Sequence, residues 1–320
     1  MTAMNCVRRG AAILLGSVLA LGIPATNAFA ASYSSVVVYG DSLSDNGNFY
    51  AATGGIPGAP YYNGRRSDGP VAVERLAAAA GAPLFDFAWI GATTGVGNYG
   101  DGGTVTSLGA YSLPGMTSVF NLTKAGLGPF AANGLFVVWG GPNDVLAPSP
   151  LDLTPFDILN RAVSNEIGII LGLQALGVQH ILAPGMPDLG LTPYFRSLGP
   201  AAAAAGSAFT DYFNAALSAA LPSDVKYYDT AGLLRDVYNH PATFGFSNVT
   251  DACFNGVTVC ANPGQYLFFD DFHPTAATHA LLAREFAVAV GVPEPGTVAL
   301  FAMGLAVVGL ARRKSARRAG

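Results

Sequence analysis

Hydrophobic residues in this chain fall either in short clustered runs or in longer stretches with helical spacing. The short apolar runs are mostly bounded by Gly, Pro or Asp, as buried parallel strands are, and lie at 35–39, 84–88, 135–139, 180–183 and 225–228. The longer stretches predict helices at 71–80, 157–176, 201–221, 231–238 and 274–290. Strands and helices alternate, which predicts one three-layer α/β domain with a mostly parallel sheet.

The N-terminus departs from this pattern. Arg8 and Arg9 precede an apolar run at 11–23 and a small-residue stretch that ends at Ala30. This order is that of a secretory signal peptide with a cleavage site after Ala30. We therefore expect residues 1–30 to be a signal peptide, rather than a buried N-terminal helix, and the protein to be exported.

The C-terminus carries a second apolar segment, at 297–311, followed by five basic residues. Its fifteen residues would span about 22 Å as a helix, less than the roughly 30 Å of a bilayer core. Pro293-Glu294-Pro295 stands just before it, and the three parts together resemble the PEP-CTERM sorting signal. That resemblance implies transient membrane contact through 292–320, removal of this tail by an exosortase-type enzyme, and delivery to the cell surface or extracellular matrix. The alternative is a permanent short anchor.

Charge is scarce and unevenly distributed. Charged residues make up 11% of the chain, and hydrophobic residues 51%, which excludes intrinsic disorder as the overall state. Seven of the 16 basic residues lie in the two terminal segments, so residues 31–292 hold 9 basic and 19 acidic residues, a net charge of −10. A domain this acidic does not bind nucleic acid through its phosphates, so we expect no such partner.

Two cysteines, Cys253 and Cys260, remain once Cys6 leaves with the signal peptide. They lie seven residues apart in a stretch that reads as a loop. In an exported protein this spacing predicts a local disulfide. Metal binding is the weaker alternative because no histidine lies near them in the sequence.

Candidate chemistry lies at the ends of predicted strands. Ser42 follows the first strand, Asn143 follows the third, and Asp270 and His273 precede the last helix. Pro274 suits the first position of a helix, which would place His273 at a helix N-terminus, where the helix dipole disfavours the imidazolium. Asp270 would hold the imidazole in the tautomer that accepts a proton from a serine.

These motifs resemble those of the GDSL, or SGNH, hydrolases, and they occur in order at 40–48, 88–94, 141–144 and 270–273. The resemblance implies a flavodoxin-like, five-stranded sheet and the catalytic residues Ser42, Asp270 and His273. It also implies an oxyanion hole formed by Ser42, Gly91 and Asn143. Ile90 and Arg66 differ from the residues that are common in the family. These differences affect the expected shape of the acyl site and not the expected reaction.

The resemblance thus implies a domain at 31–291 that hydrolyses carboxylic esters through an acyl-enzyme. A lipid ester, a short-chain ester and an O-acetyl group on extracellular polysaccharide remain open as substrates. The alternative is a catalytically idle surface or matrix protein on the same fold. No cofactor or metal is expected: the G-x-G-x-x-G match at 95–100 is followed by further glycines, where a dinucleotide site needs a helix.

Overall fold

The structure, a computed structural model, describes residues 33–292. The expected signal peptide at 1–30 and the apolar segment at 297–311 lie outside these residues. No helix within 33–292 is long and apolar enough to cross a membrane.

The described residues form seven strands and nine α-helices, joined by loops and short 3₁₀ turns. The strands are β1 (Ser35–Gly40), β2 (Leu84–Asp86), β3 (Gly134–Trp139), β4 (His180–Pro184), β5 (Lys226–Tyr228), β6 (Asn248–Ala252) and β7 (Tyr266–Phe268). The helices are α1 (Asn48–Thr53), α2 (Ala72–Ala80), α3 (Met116–Thr123), α4 (Pro142–Leu146), α5 (Pro155–Ala175), α6 (Pro193–Ser197), α7 (Pro200–Ala220), α8 (Thr230–Asn239) and α9 (Ala276–Ala289).

Strands β1 to β5 form one parallel sheet in the order β2-β1-β3-β4-β5. This is the strand order of flavodoxin-like folds, so the predicted fold class is confirmed. All five predicted strands and all five predicted helices are present, each within two residues of its predicted ends. The sequence analysis did not predict the short helices α1, α3, α4 and α6, or the separate parallel pair formed by β6 and β7.

The two faces of the sheet pack against different helices, because successive side chains of a strand point to opposite sides. From β1, Val36 and Val38 enter one core cluster with residues of α2 and α9. Val37 and Tyr39 enter a second cluster with residues of α3 and α5. Each fully buried side chain of this kind contributes about 1.5–3 kcal/mol to folding. The three-layer arrangement therefore follows from β1 being apolar on both faces.

Candidate active site

The candidate residues meet at the carboxyl edge of the sheet, where β1 and β3 end side by side. The last residues of these strands, Gly40 and Trp139, are paired in the parallel register. A Cβ atom at Gly40 would lie 2.8 Å from the backbone oxygen of Trp139, so only glycine fits there. The chain then turns into the loops that carry Ser42 and Asn143. Parallel pairing thus brings together two motifs that are about a hundred residues apart in sequence.

Ser42, His273 and Asp270 form a continuous hydrogen-bonded row. The hydroxyl of Ser42 lies 2.8 Å from Nε2 of His273. Nδ1 of the same ring lies 2.8 Å from Oδ1 and 2.9 Å from Oδ2 of Asp270. Because Nδ1 faces a carboxylate, it carries the ring proton and donates it, which leaves Nε2 as the acceptor for the serine proton.

The position of His273 differs from the prediction. Helix α9 begins at Ala276, and its cap is Thr275, whose side chain accepts the N–H of Thr278. Pro274 is therefore not the first helical residue, and the helix-dipole argument for a neutral His273 was wrong. The physical reason is that a threonine hydroxyl is the stronger helix start, because it satisfies a backbone donor that would otherwise have no partner. His273 instead lies in a turn, where its own N–H donates to Asp270 Oδ1 at 2.7 Å.

The three predicted oxyanion-hole residues line one pocket. No hydrogen bond within residues 33–292 uses the backbone N–H of Ser42 or of Gly91. Gly91 has a φ of +78°, in the left-handed region that favours glycine. The side-chain amide of Asn143 donates one hydrogen to the carbonyl of Ala92 at 3.0 Å and keeps a second hydrogen. Each of the three predicted donors therefore keeps an N–H group that has no hydrogen-bond partner in the described part of the chain.

Asp45 ties the loop after β1, which carries Ser42, to the loop that carries Gly91, a role that the sequence analysis missed. Its Oδ1 accepts the N–H groups of Gly47 and Asn48, each at 2.7 Å. Its Oδ2 accepts the N–H of Ile90 at 2.8 Å, one residue before Gly91. The only signal in the sequence is the position of Asp45 within the first motif, at 40–48.

Other buried carboxyl groups support the same edge of the sheet. Glu166 accepts the N–H of Gly140 at 2.7 Å, and Asp144 accepts the N–H and hydroxyl of Thr94 at 2.9 and 2.6 Å. Burial raises the pKa of Asp144 to about 7 and that of Asp41 to about 6. Burial also places the pKa of Glu166 well above its ordinary value. Asp41, Asp144 and Glu166 each accept a backbone N–H and make no hydrogen bond to Ser42, His273 or Asp270, so these carboxyl groups orient the backbone around the site.

The pocket over Ser42 has a volume of about 380 Å³. Its apolar lining is contributed by Leu43, Ile90, Pro142, Leu146, Pro187, Leu189, Leu234, Phe254, Phe268, Phe272 and Pro274. The polar side chains on its wall include Tyr61, Arg66 and Asp271 besides those of the hydrogen-bonded row. This composition, an apolar wall with a few convergent polar groups, is typical of a small-molecule site.

Cys253 and Cys260 are joined by a disulfide, as predicted. The bridge closes the loop between β6 and β7, and the first residues inside it, Phe254, Asn255 and Gly256, line the pocket. The disulfide thus fixes part of the pocket wall. Within residues 33–292, no group of three or more His, Cys, Asp or Glu side chains is placed to hold a metal ion.

Comparison with known proteins gives a consistent result. The profile of the GDSL-like lipase/acylhydrolase family matches residues 36–286, and that of the PEP-CTERM protein-sorting motif matches residues 291–318. A phosphatidylcholine-sterol acyltransferase of Aeromonas hydrophila is 30% identical over 70% of this chain and 67% of its own length. An Arabidopsis thaliana GDSL esterase/lipase is 30% identical over 48% of this chain, which matches about half (50%) of that relative.

An acetylesterase of Hypocrea jecorina is 24% identical over 78% of this chain and 87% of its own length. Among solved structures, an acetylxylan esterase from Geobacillus stearothermophilus aligns with a TM-score of 0.42 at 15% identity, over 81% of this chain and 94% of that one.

Proposed function

Because this chain belongs to the GDSL-like lipase/acylhydrolase family, we propose that it is an exported serine hydrolase of carboxylic esters. The observation that carries the proposal is the unbroken row from Ser42 through His273 to Asp270, with contacts of 2.8 Å at both ends of the imidazole. Serine is a weak nucleophile at its ordinary pKa, and an adjacent base that is itself oriented by a third group is what activates it. An idle binding protein has no need of this arrangement.

The reaction would proceed in two acyl transfers. Ser42 Oγ attacks the ester carbonyl carbon while Nε2 of His273 takes the hydroxyl proton, and Asp270 stabilises the imidazolium that forms. The tetrahedral intermediate collapses as His273 gives that proton to the leaving alcohol, which leaves an acyl group on Ser42. Water, deprotonated by His273, then attacks the acyl-enzyme and releases the carboxylic acid and the free serine.

The developing oxyanion would be met by the N–H groups of Ser42 and Gly91 and by the amide of Asn143. These donors are held in place before substrate arrives, by the bond from Asn143 to Ala92 and by the bond from Ile90 to Asp45. Donors that are already oriented need not reorganise during the reaction, which is the main source of their effect on rate.

The pocket supports an ester with an apolar acyl group larger than acetyl. Its volume of about 380 Å³ is larger than an acetyl group fills, and its wall is mostly apolar. Each CH₂ of a longer acyl chain that is buried there would add about 0.8 kcal/mol to the binding free energy. O-acetyl groups on polysaccharide remain the second candidate, because the fungal relative that this chain matches over 87% of its length is named an acetylesterase.

The test is hydrolysis of p-nitrophenyl acetate, butyrate and octanoate, beside acetylated xylan, by the full chain and by Ser42→Ala. We expect kcat/KM to rise from acetate to longer chains and the variant to lose turnover. Ser44→Ala is the matched control, because Ser44 is buried nearby and its hydroxyl has no partner within the described residues. Equal turnover by Ser42→Ala would contradict Ser42 as the nucleophile, and no turnover by the wild type would contradict an esterase. A preference for acetylated xylan would favour the second candidate.

The PEP-CTERM match at 291–318 supports export and sorting to the cell surface. We propose that residues 1–30 and the tail from Pro293 are removed during this export, the latter by an exosortase-type enzyme. A domain with a net charge near −10 would then stay dispersed. Intact-mass measurement of the surface protein should show a chain that ends near Pro293–Pro295. Peptides from 301–312 in that protein would indicate a permanent anchor instead.

A further inference from the structure

We propose that Tyr61 is a positioning residue for the catalytic carboxylate, an inference that rests on the proposed function. The hydroxyl of Tyr61 donates to Oδ2 of Asp270 at 2.7 Å. The two residues are 209 positions apart, so the contact is made by the fold and not by a local motif. The hydrogen-bonded row thus has a fourth member, in the order Ser42, His273, Asp270, Tyr61.

The two oxygens of Asp270 are held in different ways. Oδ1 accepts the backbone N–H groups of Phe272 and His273, at 2.9 and 2.7 Å, beside the imidazole Nδ1. Within residues 33–292, Oδ2 accepts hydrogen bonds only from Nδ1, at 2.9 Å, and from the hydroxyl of Tyr61. The phenol is therefore the sole donor to Oδ2 in this part of the chain besides the imidazole. Without it, one oxygen of a buried carboxylate would have no donor other than the ring that it must orient.

Aromatic packing keeps the ring of Tyr61 in place. Phe254 and Phe269 meet it edge-on, with ring centroids 5.7 and 5.4 Å away. The guanidinium of Arg66 lies 5.1 Å from the ring centroid, within the range of a cation–π interaction. Phe254 lies next to Cys253, which links this packing to the disulfide loop.

The electrostatics keep the phenol as a donor and the carboxyl as an acceptor. Burial, and then the negative charge of Asp270, raise the pKa of Tyr61, so its proton stays on the phenol. Burial alone would raise the pKa of Asp270, but His273, the Phe272 N–H and the Tyr61 hydroxyl together bring it well below its usual range. Each donor to a carboxylate disperses its charge and lowers its proton affinity.

Removing the hydroxyl of Tyr61 should therefore change the proton affinity of the Asp270–His273 pair as well as the fixed position of the Asp270 carboxylate. In Tyr61→Phe the ring contacts remain, but Oδ2 loses a donor and Asp270 holds the imidazole proton more strongly. The unprotonated imidazole that acts as the base would then form only at higher pH. The acidic limb of the kcat/KM profile would therefore move to higher pH. Asp41, Asp271 and His279 also face or adjoin His273, but they are the same in both proteins, so the shift reports on the hydroxyl.

The experiment measures kcat, KM and the pH profile of the full chain with p-nitrophenyl butyrate, for the wild type and Tyr61→Phe. We expect a fall in kcat of about tenfold, as for loss of a hydrogen bond to a charged group. KM should stay within about twofold because the ring is retained, and the acidic limb should move upward. Tyr62→Phe is the matched control, because the hydroxyl of Tyr62 has no hydrogen bond in the described part of the chain, and it should match the wild type.

A readout besides activity comes from the proton between His273 and Asp270. Its low-field NMR resonance should move in Tyr61→Phe and not in Tyr62→Phe. A Tyr61→Phe protein with a native near-UV spectrum, an unchanged kcat, an unchanged acidic limb and an unmoved resonance would overturn the inference. A wild-type chain without esterase activity would instead contradict the proposed function, and the NMR comparison would still test the contact of Tyr61 with Asp270.

Discussion

The side-chain amide of Asn143 donates to the backbone carbonyl of Ala92 across 3.0 Å. This bond joins the start of α4 to the loop that carries Gly91, and Asn143 and Ser42 line the same pocket. In the proposed mechanism, one side chain therefore both supplies an oxyanion donor and fixes the neighbouring loop.

Replacement of Asn143 by Ala should lower kcat by about 10²–10³-fold, the cost of losing one oxyanion-hole donor. KM should change little, because the donor acts on charge that appears only in the transition state. Steady-state kinetics with p-nitrophenyl butyrate measures both constants.

Asn165→Ala is the control for this prediction. The amide of Asn165, on α5, donates at 3.1 Å to the hydroxyl of Thr94, which lies on the loop that carries Gly91. Asn165 does not line the pocket. Its kcat should stay within about threefold of the wild type. Equal losses in the two variants would mean that loop order, and not the Asn143 donor, sets the rate.

The disulfide loop offers a second test, because Phe254 within it contacts Tyr61 and lines the pocket. Replacement of both Cys253 and Cys260 by Ser should lower the free energy of unfolding by about 2–3 kcal/mol. It should also raise KM, since one wall of the pocket loses its restraint. Urea titration and steady-state kinetics measure the two effects, and mass spectrometry of the unreduced protein should find a peptide bridged across 253–260. Two free thiols in the exported protein would refute the pairing.

The pH dependence of stability tests the buried His279, whose Nδ1 accepts the N–H of Ala72 at 3.2 Å. Burial lowers the pKa of His279 to about 3, below its unfolded value of 6.5. Its contribution to stability is therefore fully present above about pH 6.5 and is lost as the pH falls toward 3. Between pH 8 and pH 4.5, the contribution of His279 to the free energy of unfolding should fall by about 2–3 kcal/mol.

His279→Gln keeps an acceptor for Ala72 but does not titrate, so it should lose less stability over the same interval. Asp41 and Asp144 have raised pKa values, so their ionisation lowers the free energy of unfolding as the pH rises, opposite to the effect of His279. Both residues are the same in the wild type and in His279→Gln, so they do not affect the comparison. His240→Gln, at an exposed position, should retain the wild-type slope. Urea unfolding at pH 8 and pH 4.5 gives the slopes, and identical slopes for His279→Gln and the wild type would refute the assignment.

The main strands and helices were predictable because each has a hydrophobic pattern within its own stretch of sequence. The run at 35–39 is apolar at every position apart from its first, Ser35, and only a strand buried on both faces accommodates that pattern. Helix α5 was found from its periodicity, and its start at Thr154–Pro155, a capping box followed by Pro, lies two residues before the predicted start. The helices α1 and α4 have five or six residues, too few for a period to show.

The site was predictable only where its residues lie in a sequence motif. Ser42 and Asn143 each follow a strand and stand next to Asp or Pro, and His273 stands next to Pro274 shortly before the last helix; that context marks them. Tyr61 lies in an irregular segment and contacts Asp270 only through the fold, so no local pattern identifies it. The start of α9 was misjudged because Pro274 and Thr275 both favour a helix N-terminus and only the cap bond of Thr275 decides between them.

The most direct test of the account is covalent labelling of the full chain by a fluorophosphonate, an ester-like reagent that transfers its phosphonyl group to an activated serine and releases fluoride. We predict one label per molecule, located on Ser42 by peptide mass spectrometry and strongly reduced in His273→Ala. Label on a different serine such as Ser44, or no label on the folded wild-type chain, would contradict the assignment of Ser42 as a nucleophile activated by His273.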